Sequence, residues 1–435
     1  MLEPRKISGF ADYSEAQNAA LSRWIDSLEE TFRLYGFTRL TPRPLELREV
    51  LLSRGGIQKQ IFGVSRLPDD AGTELALPFD RTVPLAHWVG LNAKEIVFPY
   101  KRWDISHSFR GERAQAGRFQ GFFQADVDII GQGKLDLNAD AECIAVLYEA
   151  LQRLSLGDIA VSLNHIQLAR SLLADMGTPN DRIAGALRAL DKLDKVGADE
   201  VVEDLVRSVQ MEKQAAGKAV DVFSYRGPLA GFPLKASDCA AELSAVWDGL
   251  LSLGVPEGAL RFAPGTVRGL DYYTGAVFEF HLKGREDFGS VAGGGRYDDL
   301  ASTFTDMSLP GVGGSIGVTR LFDAACKSGL VRLDARTEAE VFVGFRTPEL
   351  SGLAQTLAKE LRSKGLRVDL YSGPKANVGK QLGYAGKKGL RTAVMAMDAK
   401  SIVVRDLLKS EQKDVPAVEE AVALALSAAR PGPRP

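Results

Sequence analysis

The chain has 435 residues, 45% of them hydrophobic and 25% charged, with a formal net charge of −2, a soluble-type composition on a chain too long for one core and suited to roughly two to four domains. No apolar run approaches the roughly 20 residues of a membrane span, and the N-terminus MLEPRKISGF lacks a signal peptide's apolar centre, so a cytoplasmic protein with no membrane partner is expected. The three cysteines, Cys143, Cys239 and Cys326, and the four histidines, His87, His107, His165 and His281, show neither disulfide nor metal spacing, and no metal site built from side chains is expected.

In chain order, Ser14 and Gln17 have the form of a capping box. Leu21, Trp24, Ile25, Leu28 and Phe32 then recur at helical spacing until Gly36 stops the helix. Phe37 to Leu40 reads as a strand that ends at Pro42 and Pro44, which suits an edge or an interface. Pro99 to Gly131 reads as two strands joined by a turn at about Gly111 to Gly117. On the second strand Gln120, Phe122, Gln124, Asp126 and Asp128 share one face. An exposed sheet face explains the polar residues but not Phe122 among them, which favours a ligand-binding face. Arg110, at the end of the first strand, can meet a phosphate with its planar fork. Arg113, Gln115 and Arg118 on the turn suit a nucleic-acid end, and a plain solvated turn fits them almost as well.

Helical patterning returns from Asp140 to Ser155. From about Asn164 to Val246 short helices with Gly and Pro breaks dominate, which reads as an α-rich insertion in a sheet-based domain. The segment Arg268 to Phe280, RGLDYYTGAVFEF, runs an arginine and two tyrosines into an alternating strand whose apolar side carries Phe278 and Phe280. A half-buried strand with tyrosines packed at its start fits this pattern, and so does a ligand site at the strand mouth. VAGGGRYDDL, Val291 to Leu300, and PGVGGSIGVTRL, Pro310 to Leu321, are glycine-dense. Gly311, Gly313, Ser315 and Gly317 leave one strand face bare enough for a flat ligand. Neither a dinucleotide fingerprint nor a P-loop is present. From Glu340, VFVGF, a helix over about Leu350 to Lys364, LRVDLYS, a helix near Gly379 to Lys388 and RTAVMAM alternate as in a parallel α/β domain. Residues 338–435 carry 16 Lys/Arg against 11 Asp/Glu, which gives weak support for polyanion binding and suits a solvated face equally well.

Together these segments resemble class II aminoacyl-tRNA synthetases, and specifically histidyl-tRNA synthetases. Gly36 to Pro42 is similar to the class's first motif, FRGE at Phe109 to Glu112 with the strand through Asp128 to the second, and Gly311 to Arg320 to the third. RGLDYY and GGGRYD are particular to the histidine enzymes, and the similarity extends to KQLGYA near the C-terminus.

The resemblance implies an α+β catalytic domain on an antiparallel sheet, an α-rich insertion and a C-terminal α/β anticodon-binding-type domain. The corresponding boundaries are 1–163 and 251–327 for the catalytic domain, 164–250 for the insertion, 328–337 for a linker, 338–428 for the C-terminal domain and 429–435 for a disordered tail. It implies a homodimeric histidine–tRNA ligase that forms histidyl-adenylate from L-histidine and ATP with Mg²⁺ held mainly by the phosphates, then charges the 3′ end of tRNA(His). Arg110 would hold the α-phosphate, Glu112 the nucleotide, Phe122 would stack on adenine, and Arg320 would face adenine and the γ-phosphate. Asp80 and Thr82, with Arg81 between them, would serve the α-amino group; Gln124, Asp128, Tyr272 and Tyr273 would enclose the amino acid. Arg268, catalytic together with Arg110, would contact the α-phosphate and the histidine carboxylate. Arg113, Gln115 and Arg118 would approach the tRNA acceptor end. The chain departs from the pattern at Pro78, where arginine is usual, at Thr319, where glutamate is usual, and at Ala114, where proline is frequent. A non-catalytic regulatory or tRNA-sensing relative is the alternative, and the presence of Arg110, Arg268 and Arg320 speaks against it.

Overall fold

The computed structural model describes residues 2–53, 58–67, 74–113, 117–235, 237–267, 272–298, 301, 303–373 and 377–429. They fall into two compact units, Met1–Ala11 with Asp26–Leu330, and Asp12–Ile25 with Val331–Pro435.

The first long helix, α1 (Glu15–Leu34), begins at the expected capping box. The Ser14 backbone N–H donates to Gln17 Oε1 at 3.0 Å and the Gln17 N–H donates to Ser14 Oγ at 3.3 Å, so two otherwise unpartnered amides are satisfied reciprocally. Gly36, at φ +74°, turns the chain after the helix, a conformation that costs a side-chain-bearing residue energy.

The larger unit is built on an eight-stranded sheet. Its strands are β1 (Thr38–Arg39), β2 (Tyr100–Phe109), β3 (Gly121–Ile130), β4 (Ile159–His165), β5 (Leu260–Phe262), β6 (Ala276–Leu282), β7 (Ser290–Tyr297) and β8 (Gly311–Ile316), in the order β1-β2-β3-β8-β7-β6-β4-β5. The two outermost pairs are parallel and the five inner pairings antiparallel. As its proline-rich exit predicts, β1 is an edge strand. β4 follows a turn at Ser155 and Gly157, both with positive φ, and it joins the sheet through long-range pairing with β6. The expectation of a half-buried β6 needs correction: Val277 and Glu279 are buried along with Phe278 and Phe280, because the strand is interior to the sheet and covered on both faces.

Helix α2 (Thr82–Asn92) carries Leu85 and Val89 into a cluster with Ile130 and Leu309, while α3 (Asn138–Arg153) packs Leu147 beside β8. Between β4 and β5, five helices over residues 166–223 enclose their own core, including Leu187, Leu205 and Phe223, followed by α4 (Asp238–Ser252), which packs on α3 and β4. Helix α5 (Val318–Lys327) follows β8.

In the smaller unit β9 (Val341–Phe345) pairs in parallel with β10 (Val368–Leu370) and β11 (Thr392–Asp398). A hairpin of β12 (Ser401–Asp406) and β13 (Gln412–Val415) extends β11 in antiparallel fashion, so the sheet is mixed rather than parallel throughout. Its two faces follow the period of two: Val341 and Val343 face Leu357 and Leu361 of α6 (Ser351–Ser363), whereas Phe342 clusters with Ala385 of α7 (Val378–Lys387). Gln381 of α7 is fully buried and clamps Phe345, accepting from its N–H at 3.0 Å and donating to its carbonyl at 2.7 Å.

Candidate active site

The β2–β3 hairpin sets four cross-strand pairs on one face: Arg102 opposite Asp128, Asp104 opposite Asp126, Ser106 opposite Gln124, and Ser108 opposite Phe122. The polar face seen on β3 therefore continues onto β2. Asp128 lies 2.7 Å from Arg102 Nη2 through Oδ2, and its Oδ1 accepts from the Tyr297 hydroxyl at 2.8 Å. Asp104 receives Arg81 Nε at 3.0 Å, Thr41 Oγ1 at 2.8 Å and Ser106 Oγ at 2.7 Å. Two guanidiniums thus face three carboxylates inside the protein, a balance that leaves excess negative charge.

Titration follows from burial first and from these charges second. Burial pushes Asp126 up to about 7, with Arg102 and Ser315 pulling against it and Asp128 and Asp104 adding to it. Burial also raises Asp128, opposed by Arg102 and by the Tyr297 hydroxyl. For Arg102 burial works toward the neutral form, but Asp128, Asp126 and Asp104 outweigh it and its pKa rises. The phenols of Tyr272, Tyr273 and Tyr297 are all raised by burial, so they remain hydrogen-bond donors at neutral pH.

The glycines of β7 and β8 make room for these side chains. A Cβ built on Gly313 would overlap Asp128 Oδ1 and stand 2.9 Å from its Cγ. One on Gly311 would stand 2.7 Å from Tyr297 Cζ, and one on Gly295 2.8 Å from Tyr273 Cδ1. The bare face foreseen for β8 is thus covered by the protein's own side chains at Gly311 and Gly313, and stays open toward Ser315 and Gly317. Over that open part lies a cavity of about 280 Å³ lined by Gln124, Tyr272, Tyr273, Ser315, Gly317 and Arg320 among others. Gln124 Nε2 donates to Ser315 Oγ at 2.9 Å, while its buried Oε1 has no protein partner among the described residues, leaving an acceptor beside the cavity. Tyr272 and Tyr273 lie with ring centroids 4.2 Å apart. Arg320, in the first turn of α5, donates to the Phe288 carbonyl at 3.1 Å.

A second group stands at the end of β2. The Arg110 guanidinium lies 5.0 Å from the Phe122 ring centre and 4.6 Å from that of Phe79, and donates to the Phe79 carbonyl at 3.3 Å. Burial lowers the Arg110 pKa, and Asp80, Glu112 and Asp126 pull it back. Asp80 Oδ1 accepts from the N–H groups of Thr82 and Val83 at 3.0 and 2.9 Å, which fixes the start of α2. On the turn, Glu112 lies 3.8 Å from Arg118, and Arg113 and Arg118 are exposed.

Of the residues singled out in the sequence, Gln124, Tyr272, Tyr273 and Arg320 share the cavity, with Asp128 buried beside the tyrosines. Arg110 and Phe122 form the second group with Asp80 nearby. Arg81 is buried and its guanidinium is taken up by Asp104 and by the Pro42 carbonyl at 2.9 Å, so it braces the loop rather than presenting a free cation. Arg268 and Gln115 lie outside the described residues, as do Ala114 and the tail from residue 430. Two of the departures lie among the described residues. The Thr319 hydroxyl accepts from the Phe123 N–H at 2.8 Å, tying α5 to β3, and the Pro78 carbonyl accepts from the Phe109 N–H at 2.8 Å. Arg102 escaped the sequence reading, and Tyr297 entered it only as part of GGGRYD, with no role given to it. The period-two rule applied to β2 as well as β3 would have placed Arg102 on the site face, whereas the contact of Tyr297 with Asp128 follows only from strand pairing.

The chain matches the family model described as histidyl-tRNA synthetase over residues 9–321 and that of an anticodon binding domain over residues 340–425. It is 35% identical to a histidine–tRNA ligase of Stenotrophomonas maltophilia, the alignment covering 95% of this chain and 96% of the relative, and 34% identical to one of Xylella fastidiosa, covering 98% of each. The histidyl-tRNA synthetase structure from Nostoc sp. PCC 7120 superposes with a TM-score of 0.88 at 29% identity, covering 98% of this chain and 100% of that one. A Bacillus halodurans structure titled as an ATP phosphoribosyltransferase regulatory subunit/histidyl-tRNA synthetase shares the fold, at 23% identity and a TM-score of 0.71 over 91% of this chain. With two model matches in series and relatives aligned end to end, the chain belongs to the histidyl-tRNA synthetase family.

Proposed function

We propose that this chain joins L-histidine to ATP to give histidyl-adenylate and pyrophosphate, then transfers the histidyl group to the 3′ end of tRNA(His), working as a homodimer in the cytoplasm. The observation that carries the reading is the single cavity in which Gln124, Tyr272 and Tyr273 meet Ser315, Gly317 and Arg320. It combines polar and phenolic groups suited to an amino acid with a flat glycine floor and a cation suited to a nucleotide.

In this reading the histidine carboxylate attacks the α-phosphorus in line and pyrophosphate departs. Arg110 and Arg268 stabilise the charge that develops on the α-phosphate oxygens. No side chain acts as a nucleophile; positioning and electrostatics do the work. Phe122 stacks on adenine, with Arg110 bridging it to the phosphate, and Glu112 and Arg320 hold the nucleotide. Asp80 and Thr82 take the α-amino group. Asp128, ionised beside Arg102, accepts a ring N–H of the imidazole, and a tyrosine hydroxyl meets the other ring nitrogen. A pocket that pairs both ring nitrogens rejects other amino acids by roughly 10⁴ to 10⁵ in rate, because its buried groups are otherwise left unpaired. The tRNA terminal hydroxyl then attacks the adenylate carbonyl and AMP leaves. Arg113, Gln115 and Arg118 approach the acceptor end, and the C-terminal unit contacts the anticodon. Among the described residues no three side chains of His, Cys, Asp or Glu come together to hold a metal. Mg²⁺ held mainly by the ATP phosphates would supply positive charge beside them.

The test is ATP–pyrophosphate exchange with each amino acid in turn, followed by charging of tRNA(His). Exchange confined to histidine is expected. Histidine binding without exchange would overturn the catalytic reading in favour of a regulatory one.

A further inference from the structure

Arg102 has no place among the substrate contacts, yet the histidine site is organised around it. Its side chain is fully buried, its Nη2 lies 2.7 Å from Asp128 Oδ2, and the two residues stand directly opposite on β2 and β3. The Tyr297 hydroxyl takes the other oxygen at 2.8 Å. Gly313, opposite Asp128 on β8, supplies the space in which the carboxylate lies. A cation, a donor and an absent side chain thus leave Asp128 one orientation.

The charged state of that carboxylate depends on the same neighbours. From β2, Arg102 and Asp104 face it; from its own strand, Asp126; from β7, Tyr297; Tyr272 and Tyr273 lie at the entry to β6, and Cys143 approaches from α3. The phenols and the thiol are raised by burial and stay neutral in the neutral range. Asp104 is held by Arg81. This leaves Arg102 as the cation in contact with Asp128, against the cost of burying a carboxylate next to Asp126.

We propose that Arg102 is a positioning residue for amino-acid recognition: it keeps Asp128 ionised and oriented, so that the pocket offers the imidazole a fixed acceptor and selects a ring that presents an N–H there. An ionised carboxylate only accepts, whereas a protonated one donates and pairs with the wrong ring nitrogen. Arg102 therefore sets which form of the ring the site takes without touching it. The inference rests on Asp128 as the imidazole acceptor.

The experiment compares Arg102→Leu, Arg102→Lys, Tyr297→Phe and Asp128→Asn with the parent protein in pyrophosphate exchange, recording KM for histidine and for ATP across about pH 6 to 9. Arg102→Leu should raise KM for histidine roughly 100-fold, as expected for a displaced recognition group, with KM for ATP little changed. The rising limb of its kcat/KM profile should move to higher pH. Arg102→Lys should restore the profile without full affinity. A folded Arg102→Leu with unchanged histidine KM and profile, or with both KM values raised in parallel and the profile unmoved, overturns the proposal. Should that variant not fold, Arg102→Lys and Tyr297→Phe decide: histidine KM raised alone supports the proposal, and no change in either refutes it. Asp128→Asn separates the two levels. If it leaves histidine KM untouched, the reading of Asp128 itself fails; if it raises KM while the Arg102 variants do not, only the role of Arg102 falls.

Discussion

Replacing Gly313 by alanine tests the construction of the proposed histidine site with a single methyl group. The added Cβ would stand 2.9 Å from Asp128 Cγ, whereas non-bonded carbons settle at about 3.5–4.0 Å, so the carboxylate must retreat by about 0.6 to 1.1 Å. Its contacts at 2.7 Å to Arg102 and 2.8 Å to Tyr297 cannot both survive such a shift. A hydrogen bond to a charged group contributes about 1.5–3 kcal/mol, and each 1.4 kcal/mol is about tenfold in affinity. Loss of one such contact's worth of positioning predicts a rise of about 10- to 100-fold in KM for histidine. KM for ATP, read in the same pyrophosphate-exchange assay at saturating histidine, should stay close to that of the parent, because the cavity floor at Ser315 and Gly317 is untouched. Thermal melting establishes that the variant is folded. A folded Gly313→Ala protein with unaltered histidine KM would refute the assignment of Asp128 to the amino acid and the steric reasoning with it.

Arg268→Ala should lower mainly the rate of adenylation in single-turnover measurements; normal turnover removes Arg268 from the proposed role. Thr319→Val should lower stability by about 1 kcal/mol, since the N–H of half-buried Phe123 loses its acceptor, and an unchanged melting temperature counts against the tie between α5 and β3. Asp126, raised to about 7, binds a proton in the folded protein that the unfolded chain has released between the ordinary aspartate range and pH 7. Its contribution to stability therefore falls as pH rises through that window and stays unfavourable above it. Asp126→Asn should accordingly gain more in melting temperature over the parent at pH 8 than at pH 5, and a gain independent of pH would contradict the assignment.

Local signals carried much of the fold. The Ser14–Gln17 box and Gly36 bracketed the first helix because capping and left-handed backbone are decided within a few residues. Alternation exposed the β2–β3 hairpin and the order of strands and helices from Val341. The pairing of β6 deep in the sheet and of β4 with β6 depends on partners far along the chain, which no window of sequence contains. The site divides the same way. Gln124, Asp128 and the two tyrosines stood out by residue type and face, and Arg320 by its position after the glycine strand. Arg81 carried a charge suited to a ligand, yet Asp104, 23 residues later, takes it. Arg102 carried no signal of its own in the sequence, and only the register of β2 on β3 sets it against Asp128.

The glycine strands β7 and β8 also bear on how such a site can change. Side chains fill the space above them, Asp128 at Gly313, Tyr297 at Gly311 and Tyr273 at Gly295, so each of these groups of the proposed site is shaped by a position that itself contributes no side-chain atom. A library built by varying only ligand-contacting residues would search a space whose walls are set elsewhere. Any larger replacement for Asp128 or Tyr273 needs more room above a position that is already minimal. Altered amino-acid specificity in this scaffold is therefore expected to require backbone movement between β3, β8 and β7, with single side-chain exchanges yielding weaker enzymes for histidine rather than competent ones for another amino acid.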